Sequence, residues 1–305
     1  MLKRIVFMGS PDFAVPIFNT ILSDYGIIGV VAQPDRPAGR GRQLTQCAIK
    51  NEALKNNLPI FQPDNINGLN SVRFINKWKP DLIVVAAYGQ ILRQPILEIP
   101  DYGCVNVHAS LLPRWRGASP IQAAILAGDT ISGVTIMKMD EGMDSGPILA
   151  QREMELCTDE TSQSLSIKLS NLGADLLHEI LPQYFLDNIS AIDQDINKIT
   201  KAPLLKKKDG RLIINKSAIE IERQVRAFNP WPGSFIEFNG QALKILKISI
   251  ELSVQANPGQ RIKLNDLPAI GTNAGVVILE EVQPAGKKVM PGAEFLRGVR
   301  NWVSV

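Results

Sequence analysis

The chain has 305 residues, 45% hydrophobic and 21% charged, with a formal net charge of +3 at pH 7. That is ordinary globular composition, which excludes a disordered or fibrous protein, and the length exceeds that of most single domains, so two are expected. Cys47, Cys104 and Cys157 lie far apart with no Cys-x-x-Cys pair, which argues for free thiols in a reducing compartment and against a zinc site or disulfide framework.

At the amino terminus the apolar run after Lys3-Arg4 is broken by Ser10-Pro11-Asp12, too early for the core of a signal peptide. No apolar segment reaches the roughly 18 residues of a membrane span, and a soluble cytoplasmic protein is expected. Residues 3–9 read as a buried strand, with Ser10 as the cap of a following helix and Pro11 at its first position. No Gly-x-Gly-x-x-Gly follows Gly9, which rules against a nicotinamide cofactor. Residues 27–32 form a second strand, so the chain opens with a strand-helix-strand unit, the seed of a parallel sheet. The stretch 33–43 fits neither period. It reads as a loop, and its Arg36, Arg40 and Arg42 are well suited to gripping phosphates.

A helix is expected from Asn51, a short strand over 60–63 and an amphipathic helix over 72–78. Residues 81–87 are a continuous apolar strand of the kind buried on both faces in a parallel sheet. Ligands of such sheets sit beyond the carboxyl ends of the strands, so Tyr88, Gly89, Gln90, Ile91 and Leu92 are candidates for lining a pocket. The next extended segment carries Asn106 and His108, two residues apart and therefore on one face. An amide that can donate to a developing oxyanion, beside an imidazole that can hold or deliver a proton, suits acyl chemistry. Ser110-Leu111-Leu112-Pro113 then forms an apolar corner, followed by Arg114-Trp115-Arg116-Gly117.

A helix over 119–128 leads to a strand over 134–139 and a glycine-rich turn holding Asp140 and Asp144. A carboxylate placed there can approach an imidazole and fix its orientation. Another strand covers 147–156 and a long helix 161–187, in which His178 reads as an ordinary helical residue. Residues 198–211 carry six basic side chains and one acid, a linker that could also neutralise phosphates. A helix over 217–227, a rigid turn at Phe228-Asn229-Pro230-Trp231-Pro232-Gly233 and several short strands complete the chain.

Asn106-x-His108, the run from Ser110 to Pro120 and Asp144 in its Gly-x-Asp-Ser-Gly loop resemble the 10-formyltetrahydrofolate-dependent formyltransferases, whose catalytic trio is Asn, His and Asp in this order. The fuller wording from His108 to Ile121, and Arg226-Ala-Phe-Asn-Pro-Trp-Pro, resemble the branch that formylates methionyl-tRNA. Two departures stand out: Ser119 replaces an alanine common in that branch, and Leu212-Ile213-Ile214 stands where relatives often place an Asp-Trp pair.

The resemblance implies an α/β fold: a Rossmann-like parallel-sheet formyltransferase domain over 1–189, a basic linker over 190–209 and a smaller OB-like β-barrel, tRNA-binding, over 210–305. It implies transfer of a formyl group from 10-formyltetrahydrofolate to the α-amino group of initiator methionyl-tRNA, with no metal, by a monomer. Asn106, His108 and Asp144 would be catalytic. Tyr88 to Leu92, Ser110, Leu111, Leu112, Pro113 and Asp140 would bind the folate, and Arg36, Arg40, Arg42, Lys206, Lys207 and Lys208 the tRNA. Two alternatives remain open at this point. One is a folate-dependent formyltransferase acting on glycinamide ribonucleotide or a nucleotide sugar; the other is a protein that binds folate or RNA without turnover.

Overall fold

A computed structural model of the chain describes residues 3–38 and 43–303. Two compact units are present, the first taking residues up to 120, 131–155 and 166–202, the second residues 121–130, 156–165 and 203 onward. The stretch 190–209 is thus divided between them.

Up to residue 202 the chain forms β1 (Arg4–Gly9), α1 (Ala14–Asp24), β2 (Gly26–Val31), β3 (Arg36–Ala38), β4 (Gln43–Thr45), α2 (Ala48–Lys55), β5 (Ile60–Phe61), α3 (Leu69–Trp78), β6 (Leu82–Ala86), α4 (Gln94–Leu97), β7 (Cys104–His108), β8 (Arg116–Gly117), α5 (Pro120–Ala127), β9 (Ile131–Lys138), β10 (Ile148–Glu155), α6 (Ser162–Tyr184) and β11 (Lys201–Ala202). The first unit is a mixed α/β structure on a seven-stranded sheet in the order β10-β9-β7-β6-β1-β2-β5. Its five strands from β5 to β7 are parallel, and β9 and β10 extend it antiparallel. Every residue from Ile5 to Met8 and from Leu82 to Ala86 is buried, because central parallel strands are covered on both faces. Each large side chain removed from water there contributes about 1.5–3 kcal/mol. Outermost β10 instead alternates, with Gln151, Glu153 and Glu155 exposed to solvent.

The order matters for function. From β1 the chain builds outward through β2 and β5, then returns to lay β6 and β7 on the other side of β1. Adjacent crossovers therefore diverge between β1 and β6, and the crevice this opens lies at the carboxyl ends of the parallel strands.

Three sequence expectations are corrected here. Ser10 does not cap α1, which begins at Ala14 after a turn in which the Ala14 and Val15 amides donate to the carbonyls of Pro11 and Asp12 at 2.9 and 3.0 Å. Its hydroxyl instead accepts the Gln33 amide at 3.1 Å, tying the ends of β1 and β2 together. Helix α2 starts at Ala48, ahead of Asn51. The stretch 33–43 is not wholly irregular, since β3 and β4 pair antiparallel, Arg36 opposite Thr45 and Ala38 opposite Gln43. The side chains of β4 are all exposed, so no apolar alternation betrays the strand.

In the second unit lie α7 (Ala218–Ala227), β12 (Ser234–Phe238), β13 (Gln241–Glu251), β14 (Arg261–Leu264), β15 (Leu267–Gly271), β16 (Val276–Gln283), β17 (Met290–Pro291) and α8 (Gly292–Arg297). Its sheet is antiparallel, in the order β12-β13-β16-β15-β14 with β17 on β16. Helix α7 opens with a capping box: Ser217 Oγ accepts the Glu220 amide, and Glu220 accepts the Ser217 amide at 3.0 Å. Ile221 and Val225 of α7 join Leu243, Ile245, Val277 and Leu279 in the core. Trp302 completes that core. Its ring lies 5.3 Å from Phe238 and 5.6 Å from Phe295 between centroids, and its indole N–H donates to the Ile262 carbonyl at 2.8 Å. Trp302→Ala is expected to destabilise this unit by about 3–5 kcal/mol, read as a fall in urea midpoint followed by intrinsic fluorescence.

Candidate active site

Asn106 and His108 occupy the carboxyl-terminal half of β7, 9% and 6% exposed. Between them Val107 points to the opposite face, where its Cγ1 fills the space beside Gly173 of α6. Strand geometry therefore turns the amide and the imidazole away from α6. No described residue forms a hydrogen bond with the Asn106 amide, which leaves its donors available to a ligand.

His108 is held by its other neighbours. Its Nε2 lies 3.0 Å from the carbonyl oxygen of Trp115. A carbonyl can only accept, so Nε2 carries the hydrogen and the neutral ring has its lone pair on Nδ1. Nδ1 in turn faces Asp144 Oδ1 at 3.7 Å, wider than a hydrogen bond. The other carboxylate oxygen, Oδ2, accepts the amide of Gly117 at 2.8 Å. The trio named from the sequence thus converges at one strand end, two members through contacts to the same loop, 115–117.

That loop is braced from the antiparallel strands. Thr135 of β9 lies opposite His108 in register and is fully buried. Its hydroxyl donates to the Ser110 carbonyl at 2.6 Å and accepts the Leu112 amide at 2.9 Å, while Gln151 of β10 donates to the Leu112 carbonyl at 2.8 Å. Ser110 Oγ donates to the Arg114 carbonyl at 2.6 Å, and the Leu112-Pro113 peptide is cis. Trp115 at φ 62° and Asp144 at φ 50° both adopt the left-handed conformation, which side-chain-bearing residues rarely do. Gly117, at φ 121°, admits no side chain: a Cβ there would stand 2.5 Å from the Ala202 carbonyl oxygen.

The remaining residues singled out from the sequence are distributed as follows. Tyr88 and Leu92 are buried in the core with Val85, Ile96 and Cys104, whereas Gly89 and Ile91 are exposed. The Tyr88 hydroxyl has no hydrogen-bond partner among the described residues, and burial pushes its pKa far above the ordinary phenol value. Gln90 is committed to the chain before α3, accepting from the Ile66 amide and donating to the Pro63 carbonyl. Leu111 packs beside Gly133, Leu112 is buried and Pro113 half-buried. Asp140 accepts from Gly142 N–H and Ser145 Oγ, shaping the turn that carries Asp144. Arg36 is exposed on β3, and Arg40 and Arg42 lie outside the described residues. Lys206, Lys207 and Lys208 are exposed in the second unit, at a single turn of tight helix over Lys207–Gly210. At the base of the β3–β4 pair, hydrogen bonds from Gln62 and Lys50 hold the Asp35 carboxyl below its usual range. All three cysteines are free, and burial pushes the Cys104 thiol up to about 12.

Known proteins share this arrangement of domains. A family model described as formyl transferase matches residues 3–181, and one described as formyl transferase, C-terminal domain, matches residues 204–300. The chain belongs to the formyl transferase family. A methionyl-tRNA formyltransferase of Chloroflexus aggregans is 44% identical over 300 residues, 97% of this chain and 97% of its own. That of Bacillus pumilus is 45% identical over 301 residues, 97% of this chain and 95% of its own. Among solved structures, the N-formyltransferase from Helicobacter canadensis in complex with folinic acid and dTDP-3-aminofucose is similar in fold, with a TM-score of 0.67 at 18% identity, over 93% of this chain and 100% of that one.

Several residues that shape this candidate site carried no signal in the sequence. Thr135 sits in an apolar strand and Gln151 in an alternating one, each indistinguishable by pattern from a residue with nothing to hold. Trp115 contributes a carbonyl, which no side-chain motif can announce. Thr135→Val keeps the shape but leaves the buried Leu112 amide without its acceptor. We expect a loss of about 1–3 kcal/mol in urea unfolding, and Gln151→Leu, at a more exposed site, to cost less.

Proposed function

We propose that this chain transfers the formyl group of 10-formyltetrahydrofolate to the α-amino group of initiator methionyl-tRNA in the cytoplasm. Support comes from relatives named methionyl-tRNA formyltransferase that are 44% and 45% identical over nearly the whole chain, and from the folinic acid bound by a protein of similar fold. The observation that carries the chemistry is an uncommitted Asn106 amide beside an imidazole whose Nε2 is already engaged and whose Nδ1 faces a carboxylate.

In this reading the methionyl amine attacks the formyl carbon, and the carbonyl oxygen takes the negative charge of the tetrahedral intermediate. The Asn106 amide stabilises that oxygen, joined by His108 Nδ1–H once the ring has taken up a proton. The carboxylate of Asp144 accepts a proton from the attacking nitrogen and passes it to the lone pair on His108 Nδ1, and the imidazolium so formed delivers it to N10 as the carbon–N10 bond breaks, leaving both side chains as they began. The 3.7 Å between Nδ1 and Oδ1 is within a small closure of hydrogen-bonding distance, as that proton transfer requires. No covalent enzyme intermediate is required, because the amine is itself a competent nucleophile. Exposed Gly89 and Ile91 beyond β6, the corner 110–113 and Asp140 would line the folate slot. Arg36, Arg40, Arg42 and Lys206 to Lys208 would contact phosphates of the tRNA, the second unit acting as an OB-like tRNA-binding domain and the enzyme as a monomer.

Formyl transfer to methionyl-tRNA, with glycinamide ribonucleotide and an amino-sugar nucleotide as control acceptors, tests the assignment. Only the charged tRNA should be formylated, and transfer to either control at a comparable rate would overturn it. Asn106→Ala should lower kcat by about 10²- to 10³-fold with little change in folate affinity, the size expected for one oxyanion donor. Arg42→Ala should raise KM for methionyl-tRNA and leave that for folate unchanged, and binding should weaken steeply between about 50 and 200 mM salt.

A further inference from the structure

Between α6 and the second unit, the chain from Gln194 to Ala202 does more than connect. Gln194 is only 8% exposed although its neighbours on both sides lie at the surface. Its side-chain NH2 donates to the Asp144 carbonyl at 2.9 Å and to the Gly146 carbonyl at 2.7 Å, and its oxygen accepts Arg116 Nε at 2.9 Å. Two acceptors on one side and a guanidinium donor on the other fix which end of the amide is which. Gln194 therefore grips the turn that carries the carboxylate and fastens it to β8.

Six residues later the same segment grips the other half of the pair. Thr200 Oγ1 accepts the Trp115 amide at 2.8 Å, and its carbonyl accepts the Arg116 amide at 2.9 Å. Lys201 and Ala202, forming β11, then run parallel to Arg116 and Gly117 of β8. Trp115 is the residue whose carbonyl receives His108 Nε2, and Gly117 is the residue whose amide donates to Asp144 Oδ2. Each contact that orients the imidazole or the carboxylate thus lies one bond away from residues 194–202.

We infer that residues 194–202 form a strap that sets the spacing of the His108–Asp144 pair, with Gln194 acting on Asp144 and Thr200 acting on His108 as positioning residues. The inference rests on the reading of His108 and Asp144 as the reacting pair. Neither Gln194 nor Thr200 needs to meet a substrate; their effect passes through the main chain at 115–117 and 144–146. Tightening or slackening the strap alters the 3.7 Å spacing of Nδ1 and Oδ1.

The test compares Thr200→Val, Thr200→Ser and Gln194→Ala in the full chain. Thr200→Val keeps the shape and removes the acceptor of the Trp115 amide, and Thr200→Ser restores it. We expect Thr200→Val and Gln194→Ala to lower kcat by about 10- to 100-fold, with KM for both substrates within about two-fold, because displacing a reacting group by about 1 Å costs that much. Thr200→Ser should return to within about three-fold of the parent, by the same reasoning. Independently of activity, amide hydrogen exchange should speed up over residues 114–117 in Thr200→Val and over 140–146 in Gln194→Ala. Gln194→Ala made in an Asp144→Ala background should have no further effect on kcat. A full additional loss in that background, or a Thr200→Ser as slow as Thr200→Val, would overturn the strap. Full turnover in Asp144→Ala alone would overturn the catalytic reading, and the strap with it, and is distinguishable because the Asp144 variant is measured first.

Discussion

The hydrogen bond from His108 Nε2 to the Trp115 carbonyl is the contact on which the rest of the site depends. It assigns the ring hydrogen to Nε2 and thereby directs Nδ1 at Asp144. With the opposite tautomer, the same side chains in the same places would set a lone pair against the Trp115 carbonyl oxygen, and that hydrogen bond would be lost. The bond exists because Trp115 is held in a left-handed conformation that aims its carbonyl back at β7. That conformation is maintained by a loop pinned on one side by Thr135 and Gln151 and on the other by Thr200.

The larger fold supplies the stage for this contact. A buried parallel sheet fixes the end of β7, two strands along from β1, where the crossovers diverge between β1 and β6. The antiparallel pair β9–β10 then does two things the parallel strands do not. It sets Thr135 directly opposite His108, and it ends in the turn that delivers Asp144. A rigid sheet edge with loops laid over it positions side chains more closely than loops alone can.

Much of this could be read from the sequence, for identifiable physical reasons. The unbroken apolar run at 81–87 marks a strand buried on both faces, and Asn106-x-His108 marks two side chains on one face, because those patterns reflect local periodicity. Pro120 and Gly128 bracket α5 where expected. What local pattern does not encode is who satisfies whom. Ser10 has the chemistry of a helix cap, yet its hydroxyl accepts from Gln33 on the neighbouring strand. The arginine-bearing stretch breaks every apolar period, yet Arg36–Ala38 and Gln43–Thr45 pair through backbone groups alone. Gln194, in a stretch of surface residues, gives no hint of its three hydrogen bonds, since partners about 50 and 78 positions away can be identified only once the chain is folded.

The chain has two histidines, and the structure gives them opposite hydrogen placements: His108 bonds through Nε2 to a carbonyl, His178 through Nδ1 to Asp24. Long-range proton–nitrogen correlation spectra of the uniformly 15N-labelled protein, with His178→Gln to assign the two rings, report directly which nitrogen bears the hydrogen. Above the imidazole titration, His108 should be the Nε2–H tautomer, with Nδ1 at the chemical shift of an unprotonated ring nitrogen. A His108 ring carrying its hydrogen on Nδ1 would contradict the account.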